Sequence, residues 1–386
     1  MKLKSVPEDF VVEEVSDFTP DPGGRFFVYE LEKRSLATLE ALHIIARAAG
    51  MRERDLSAAG LKDKHGLTRQ LFSSPRALPA VSDERLKLRL LGKSAEKLTA
   101  GSIVGNRFTI TLRNLREEEV AALPRNAEQI RRFGLPNYYD NQRFGGIAHG
   151  RGFIGRALVA GDFEQALCLH LAAPHRKQSL TDKSNRRLAD QLWGDWDSLH
   201  QRMKRSPERA LVEYLKGHPA DWAGCFERIT PSLRNLFVAA YQSWLFNETL
   251  RRMIESAVAF EPVKYKAGVL AFYRELPEEL LARWRAVELP LPGPGTRLRE
   301  FPDAAPHLQA VLDAEGITLE QLSLPELERT GFKASARKAL LWPKGLELGE
   351  PQPDELNPGA KKVVVKFELG RGSFGTMVTR RLGLGV

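Results

Sequence analysis

The stretch Ala59-Gly60-Leu61-Lys62-Asp63-Lys64-His65-Gly66-Leu67-Thr68-Arg69-Gln70 places one aspartate between two lysines and brackets it with glycines. A carboxylate held between ammonium groups is stabilised as the anion. Asp63 should therefore titrate at or below the free value of about 4, ready at neutral pH to act as a nucleophile or a base. Gly60 and Gly66 allow tight turns and close approach of a ligand. A solvated ion pair in a loop would look the same, so the weight of this stretch comes from the segments around it.

Working outward, Asp9 to Val15 and Phe26 to Leu31 read as strands separated by a Pro/Gly-rich turn at Pro20 to Gly24. Arg85 to Leu91 and Arg107 to Arg113 alternate polar and apolar residues as half-buried strands do. Lys362 to Leu369 is a β-branched run of the same kind. Thr38 can cap a helix with Leu42, Ile45, Ala46 and Ala49 on one face, ended by Gly50. Thr230-Pro231 opens a long helix to about Met253, and Asp162 starts another through Leu171.

The chain has 386 residues, 42% hydrophobic and 28% charged, which suits two domains or one domain with a large insertion. No apolar run approaches the roughly 20 residues of a membrane span. Met1 to Asp9 carries no apolar leader, so the cytoplasm is the expected compartment. Cys168 and Cys225, the only cysteines, lack the close partners of a metal site and read as small buried hydrophobes. The net charge of +9 suits a polyanionic partner. Between Arg85 and Arg156 there are 14 Lys/Arg against 6 Asp/Glu, whereas Glu275 to Glu328 holds 11 acids against 4 bases.

Gly370-Arg371-Gly372-Ser373-Phe374-Gly375 matches the spacing of a dinucleotide-binding turn, but only 11 residues follow it. That is too short for the helix, second strand and ribose-binding acid of such a unit, so a turn projecting Phe374 is the better reading. Leu135 to Gly146 joins amides, Tyr138, Tyr139 and Arg143, groups able to stack on bases and read their edges.

Together these segments resemble the TruD family of pseudouridine synthases, which in tRNA act on the uridine at position 13. The resemblance runs from Lys4 and Pro7-Glu8-Asp9-Phe10 through Gly60-Leu61-Lys62-Asp63-Lys64, Thr68 and Gln70. It continues through Pro136-Asn137-Tyr138, Gln142-Arg143-Phe144-Gly145 and Gln242-Ser243 with Leu245-Phe246-Asn247, ending at Gly372-Ser373-Phe374 with Thr376. It implies an α+β fold: a pseudouridine-synthase-like catalytic domain with a mixed or antiparallel sheet, plus an inserted α/β TRUD domain. The expected boundaries are 1–162 and 342–386 for the catalytic domain and 163–341 for the insertion, with RNA in the cleft between them.

The resemblance also implies that Asp63 is the nucleophile and that Phe10, Asn137 and Phe374 contact substrate. Tyr139 stands where the family usually has Phe, and its ring can still stack. Gly66 and Gly375 stand where the family usually has Ala, which should loosen those loops. Isomerising uridine is redox-neutral, so neither cofactor nor metal is expected. The carboxylate could attack the sugar C1′ or act as nucleophile or base elsewhere on base or sugar. Lys4, or a lysine beside Asp63, could keep it ionised; Asn137 could hold an edge of the uracil or a group on the ribose. A tRNA-binding or tRNA-folding protein without catalysis is the alternative, one that would leave the surroundings of Asp63 without a purpose.

Overall fold

The computed structural model describes all residues except 63, 82, 146, 148–150, 175–178 and 386. The chain divides into two compact units: one from Met1–Leu135 with Leu341–Val386, the other from Pro136–Leu340.

The discontinuous unit is built on a mixed sheet. Its main strands are β1 (Phe10–Ser16), β2 (Phe26–Arg34), β3 (Leu67–Ser74), β4 (Leu86–Ser94), β5 (Ile103–Leu115), β6 (Lys344–Leu348) and β7 (Lys361–Gly370). They lie in the order β6-β7-β5-β1-β3-β2-β4, with Gln352–Pro353 and Ser57–Ala58 pairing briefly at β7 and β3. β1 and β3 run parallel and the other neighbours antiparallel. Four of the five predicted strands are extended by two to six residues, and Asp9 lies just outside β1. β3 was not predicted: the alternate positions Thr68, Gln70, Phe72 and Ser74 are all buried but mostly polar, which erases the period-two signal.

The two faces of the sheet differ sharply. One transverse row, Phe367-Phe108-Val12-Thr68-Lys33-Leu86, is buried from end to end. Helix α1 (Thr38–Ala48) supplies Ala41, Leu42, Ile45 and Ala46 to the core that includes Tyr29, Leu31, Phe72 and Leu86. The neighbouring row, on the opposite face, is Glu368-Arg107-Glu13-Arg69-Glu32-Lys87, with charge alternating from strand to strand. Arg107 meets Glu368 at 2.7 Å, and Arg69 meets Glu13 at 2.6 Å and Glu32 at 2.9 Å. Exposed pairs of this kind contribute little each, about 0.2–1 kcal/mol.

Helix α2 (Glu117–Phe133) has three glutamates in its first turn and Arg131 and Arg132 in its last, the charge order its dipole favours. Pro124 inside it hides the helix from a sequence reading. The chain ends in the short helix Gly375–Leu382.

The Pro136–Leu340 unit is rich in helices, with antiparallel pairs at Glu261–Tyr265 with Gly268–Phe272 and Glu288–Leu291 with Ser335–Lys338. Its longest helix is Pro231–Glu255. The boundary expected at residue 162 falls instead at Leu135/Pro136. The reason is packing: Ile154, Ala157, Leu158 and Val159 join Phe163, Leu167 and Tyr241 in one buried cluster, so the helix Ile154–Val159 belongs to the inserted unit.

Candidate active site

Asp63 lies outside the described residues; its neighbours on both sides lie within them. Thr38 does not cap α1, whose N-cap is Ala37. Instead its buried hydroxyl donates to Gln70 Oε1 at 2.8 Å and accepts the Lys62 N–H at 3.0 Å. Gln70 in turn donates from Nε2 to the Gly60 carbonyl at 3.0 Å. At the far end, the Ser35 N–H donates to the Gly66 carbonyl at 3.1 Å. Buried side chains of β3 and α1 thus hold the Gly60–Lys62 side of position 63, and the backbone of Ser35, just after β2, holds the Gly66 side.

The flanking lysines are engaged elsewhere. Lys62 Nζ lies 2.8 Å from Glu14 Oε1 and donates to Asn106 Oδ1 at 2.8 Å, while Lys64 Nζ reaches Glu40 Oε2 at 3.3 Å. Glu14 also accepts the Leu71 N–H at 2.7 Å. The expectation that a neighbouring lysine serves Asp63 therefore meets two lysines already paired with other carboxylates.

Phe10 is 3% exposed, its ring edge-on to Phe108, which stacks on Phe367. Burial leaves little of this ring open for stacking on a base. Lys4, held at φ 59°, sets its ammonium 3.9 Å from the centre of the Phe10 ring, a cation–π contact. Asp9 fixes the approach to this corner by accepting the Val6 N–H at 3.1 Å and Arg113 Nε at 2.7 Å. Arg113 also donates to Asp354 at 2.8 Å and Glu355 at 3.0 Å, bridging the two ends of the chain. Phe374 is half-buried at the start of the final helix, after a turn in which Gly372 takes φ +80°.

The two glycines expected to loosen their loops do the opposite. A Cβ on Gly66 would stand 2.6 Å from the Phe10 carbonyl oxygen, and one on Gly375 would stand 2.7 Å from the Phe108 ring. Both positions are crowded, so glycine here allows close packing of β1 on β3 and of the final helix on β5. Gly66→Ala is expected to destabilise the protein by about 1–3 kcal/mol, as overpacking does. Thermal melting checks this; an unchanged transition would show that β1 yields freely.

In the inserted unit, Asn137 and Tyr139 stand together. Asn137, 6% exposed, donates Nδ2 to the Lys338 carbonyl at 3.0 Å and accepts Arg337 at 2.5 Å through Oδ1. Arg337 also donates Nε to the Asn137 carbonyl at 3.0 Å and lies 4.4 Å over the Tyr139 ring. Burial pulls its pKa below the ordinary arginine value, against an opposing contribution from Tyr139. Phe246 meets Tyr139 edge-on, and Asn247 exchanges two 2.9 Å hydrogen bonds with the Tyr139 backbone. The Asn137 amide is thus engaged within the protein, holding Arg337, a residue that no local sequence pattern singles out.

Much of the basic surplus between Arg85 and Arg156 is neutralised in place. Arg85 pairs with Asp83, Arg89 with Glu30, Arg107 with Glu368, Arg113 with Asp9 and Arg156 with Glu315. Cys225 is buried, and burial pushes its thiol up to about 12; Cys168, partly buried, is raised for the same reason. Among the described residues, no group of three or more His, Cys, Asp or Glu is placed to hold a metal ion, and no helix is long and apolar enough to cross a membrane.

The family model described as tRNA pseudouridine synthase D (TruD) matches residues 1–382. A Methanocaldococcus jannaschii protein assigned as tRNA pseudouridine synthase D 2 is 34% identical, over 100% of this chain and 92% of its own length. The tRNA pseudouridine synthase D of Aquifex aeolicus is 29% identical, over 99% of this chain and 98% of its own. A crystal structure assigned to TruD of Methanosarcina mazei superposes with a TM-score of 0.71 at 27% identity, covering 98% of this chain and 92% of that one. The α+β fold with its mixed sheet agrees with that neighbour, and the chain belongs to the tRNA pseudouridine synthase D (TruD) family.

Proposed function

We propose that this protein isomerises uridine to pseudouridine in tRNA, at position 13, with Asp63 as the reacting carboxylate. The observation that carries the reading is the pinned loop: Thr38, Gln70 and Ser35 hold the described residues on either side of position 63. Such fixation is what a reacting group needs to meet its target without reorganisation. The reaction breaks the bond from uracil N1 to the ribose C1′, turns the base and joins C5 to C1′; the C5 proton is lost and N1 gains one. Taking a uridine out of its stack costs a few kcal/mol. Stacking by Phe374 or Tyr139 offsets that at about 1–3 kcal/mol per base.

Lys4, Phe10 and Asn137 complete the proposed substrate-contacting set. Phe10 and Asn137 act mainly by shaping the surfaces around them, as their burial suggests. Incubating purified protein with unmodified tRNA and mapping pseudouridine by chemical derivatisation tests the reading. Product at position 13 is the expected result. Product elsewhere would keep the chemistry and overturn the target, and tRNA binding with no product would favour a non-catalytic RNA-binding protein.

A further inference from the structure

The inserted unit carries a basic turn that the reaction, as described so far, does not use. Arg202-Met203-Lys204-Arg205 joins the helix Trp196–Arg202 to the helix Pro207–Gly217. Arg202, Lys204 and Arg205 are exposed, and among the described residues none of the three has an acidic side chain within ion-pair distance. The acids nearby are committed elsewhere. Asp195 caps the first of these helices, Asp197 reaches Lys216 at 3.4 Å, and Glu213 meets His200 at 2.8 Å. Asp182 completes the capping box of the helix Leu180–Gln191, and Glu208 favours the charge of the partly buried Arg186. The arginines at 85, 89 and 107, by contrast, are neutralised in place.

The same turn is held rigid from beneath. Asn185, 4% exposed, accepts the Lys204 N–H at 2.9 Å through Oδ1 and donates Nδ2 to the Lys204 carbonyl at 3.0 Å. Met203 is buried in the helical core between the exposed cations, and Arg209 donates Nε to the His200 carbonyl at 3.1 Å. Connections between helices are ordinarily the mobile parts of a surface. Here a buried amide commits both its donor and its acceptor to one exposed residue. Three like charges within four residues repel one another, and no fixed anion offsets that repulsion. A polyanion laid across them would.

We propose that the Arg202–Arg205 turn is a phosphate-binding knuckle that grips the backbone of the tRNA substrate, with Asn185 as its positioning residue. The proposal rests on the reading of the protein as a tRNA-modifying enzyme. The knuckle touches no reacting atom. It holds phosphates without reading sequence, so it supplies affinity and salt dependence rather than chemistry.

Two matched charge reversals test it. With Lys204→Glu and Arg205→Glu together, the tRNA Kd at low salt should rise about tenfold or more, and the slope of log affinity against log salt should flatten by about two. Lys183→Glu with Arg187→Glu makes the same change in net charge on the same unit, at two exposed cations on the side of their helix turned away from Asn185. That control should raise Kd by less than about threefold, because phosphate contacts act locally. The single-turnover rate at saturating tRNA should stay within about twofold in both proteins. Asn185→Ala keeps every charge and should raise Kd about three- to tenfold by freeing the turn. Equal Kd values in the two charge-reversed proteins, or wild-type binding with Lys204 and Arg205 reversed, would overturn the knuckle. Wild-type binding in Asn185→Ala would overturn the part assigned to the amide. Wild-type protein that binds tRNA through this turn yet forms no pseudouridine would overturn the enzyme reading instead.

Discussion

Asp63→Asn is expected to abolish pseudouridine formation, lowering the single-turnover rate by roughly 10⁴-fold or more while leaving tRNA affinity within a few-fold. The amide is nearly isosteric with the carboxylate, but it carries no charge and can neither attack the sugar nor take a proton. Binding should survive because it draws on many phosphate contacts, with affinity falling as salt rises. Release of label from uridine tritiated at C5 reads the chemical step directly, since that hydrogen leaves as C5 bonds to the sugar. Filter binding on the same preparation reads affinity, and a thermal melt shows that the variant is folded. Label released at the wild-type rate would exclude Asp63 as the reacting group.

The second large effect is structural. Arg113→Met is expected to cost about 3–5 kcal/mol, because it leaves Asp9 and Asp354, both buried, without their shared cation. That should lower the melting temperature by roughly 10 °C. The loss has a definite pH dependence. Burial alone would raise the Asp354 pKa, but N–H groups of Asn114 and Leu356, the Asn357 side chain and Arg113 together bring it well below the usual carboxylate range.

A carboxyl depressed on folding contributes stability that is complete above its unfolded pKa of about 3.9 and disappears as pH falls through the folded value. Glu355, hydrogen-bonded by Arg113 and Lys362, is pulled down to about 2 and acts in the same direction. Wild type should therefore lose its advantage over Arg113→Met as pH drops from about 5 toward 2. Melting curves across that range decide the matter, and a gap that does not change with pH would sink this account. Because Asp9 precedes Phe10, activity should fall as well, even at temperatures where the variant remains folded.

The sequence showed more of the scaffold than of the machinery it supports. Strands with apolar residues on alternate positions, such as Phe10 to Ser16 and Lys361 to Gly370, were legible because packing alone sets their pattern. So was the helix after Thr230-Pro231, whose first turn carries its own start signal. β3 was illegible for the reason that makes it useful: Thr68 and Gln70 face inward to serve the loop and α1, so the strand looks polar. Thr38 was misread as a cap because hydroxyl capping is the local default, and only the tertiary fold reveals Gln70 and Lys62 as its partners.

Lys33 sits in Glu30-Leu31-Glu32-Lys33-Arg34, a run that reads as solvated until the sheet is assembled around it. Arg337 is some two hundred residues from Asn137, so no local pattern links them. The motif residues themselves were visible through their order along the chain, whereas what each touches was not.

The alternating row from Glu368 to Lys87 has a consequence for assembly. Shifting one strand past its neighbour by two positions keeps every greasy side chain indoors, so inside–outside patterning cannot reject that error. A slip of β3 would, however, slide Arg69 off Glu13 and Glu32, and a slip of β5 would set Arg107 against a residue other than Glu368. Each mismatch is small, but a slipped inner strand disagrees with the neighbours on both its sides at once. The wet side of the sheet thus proofreads an alignment to which its dry side is blind.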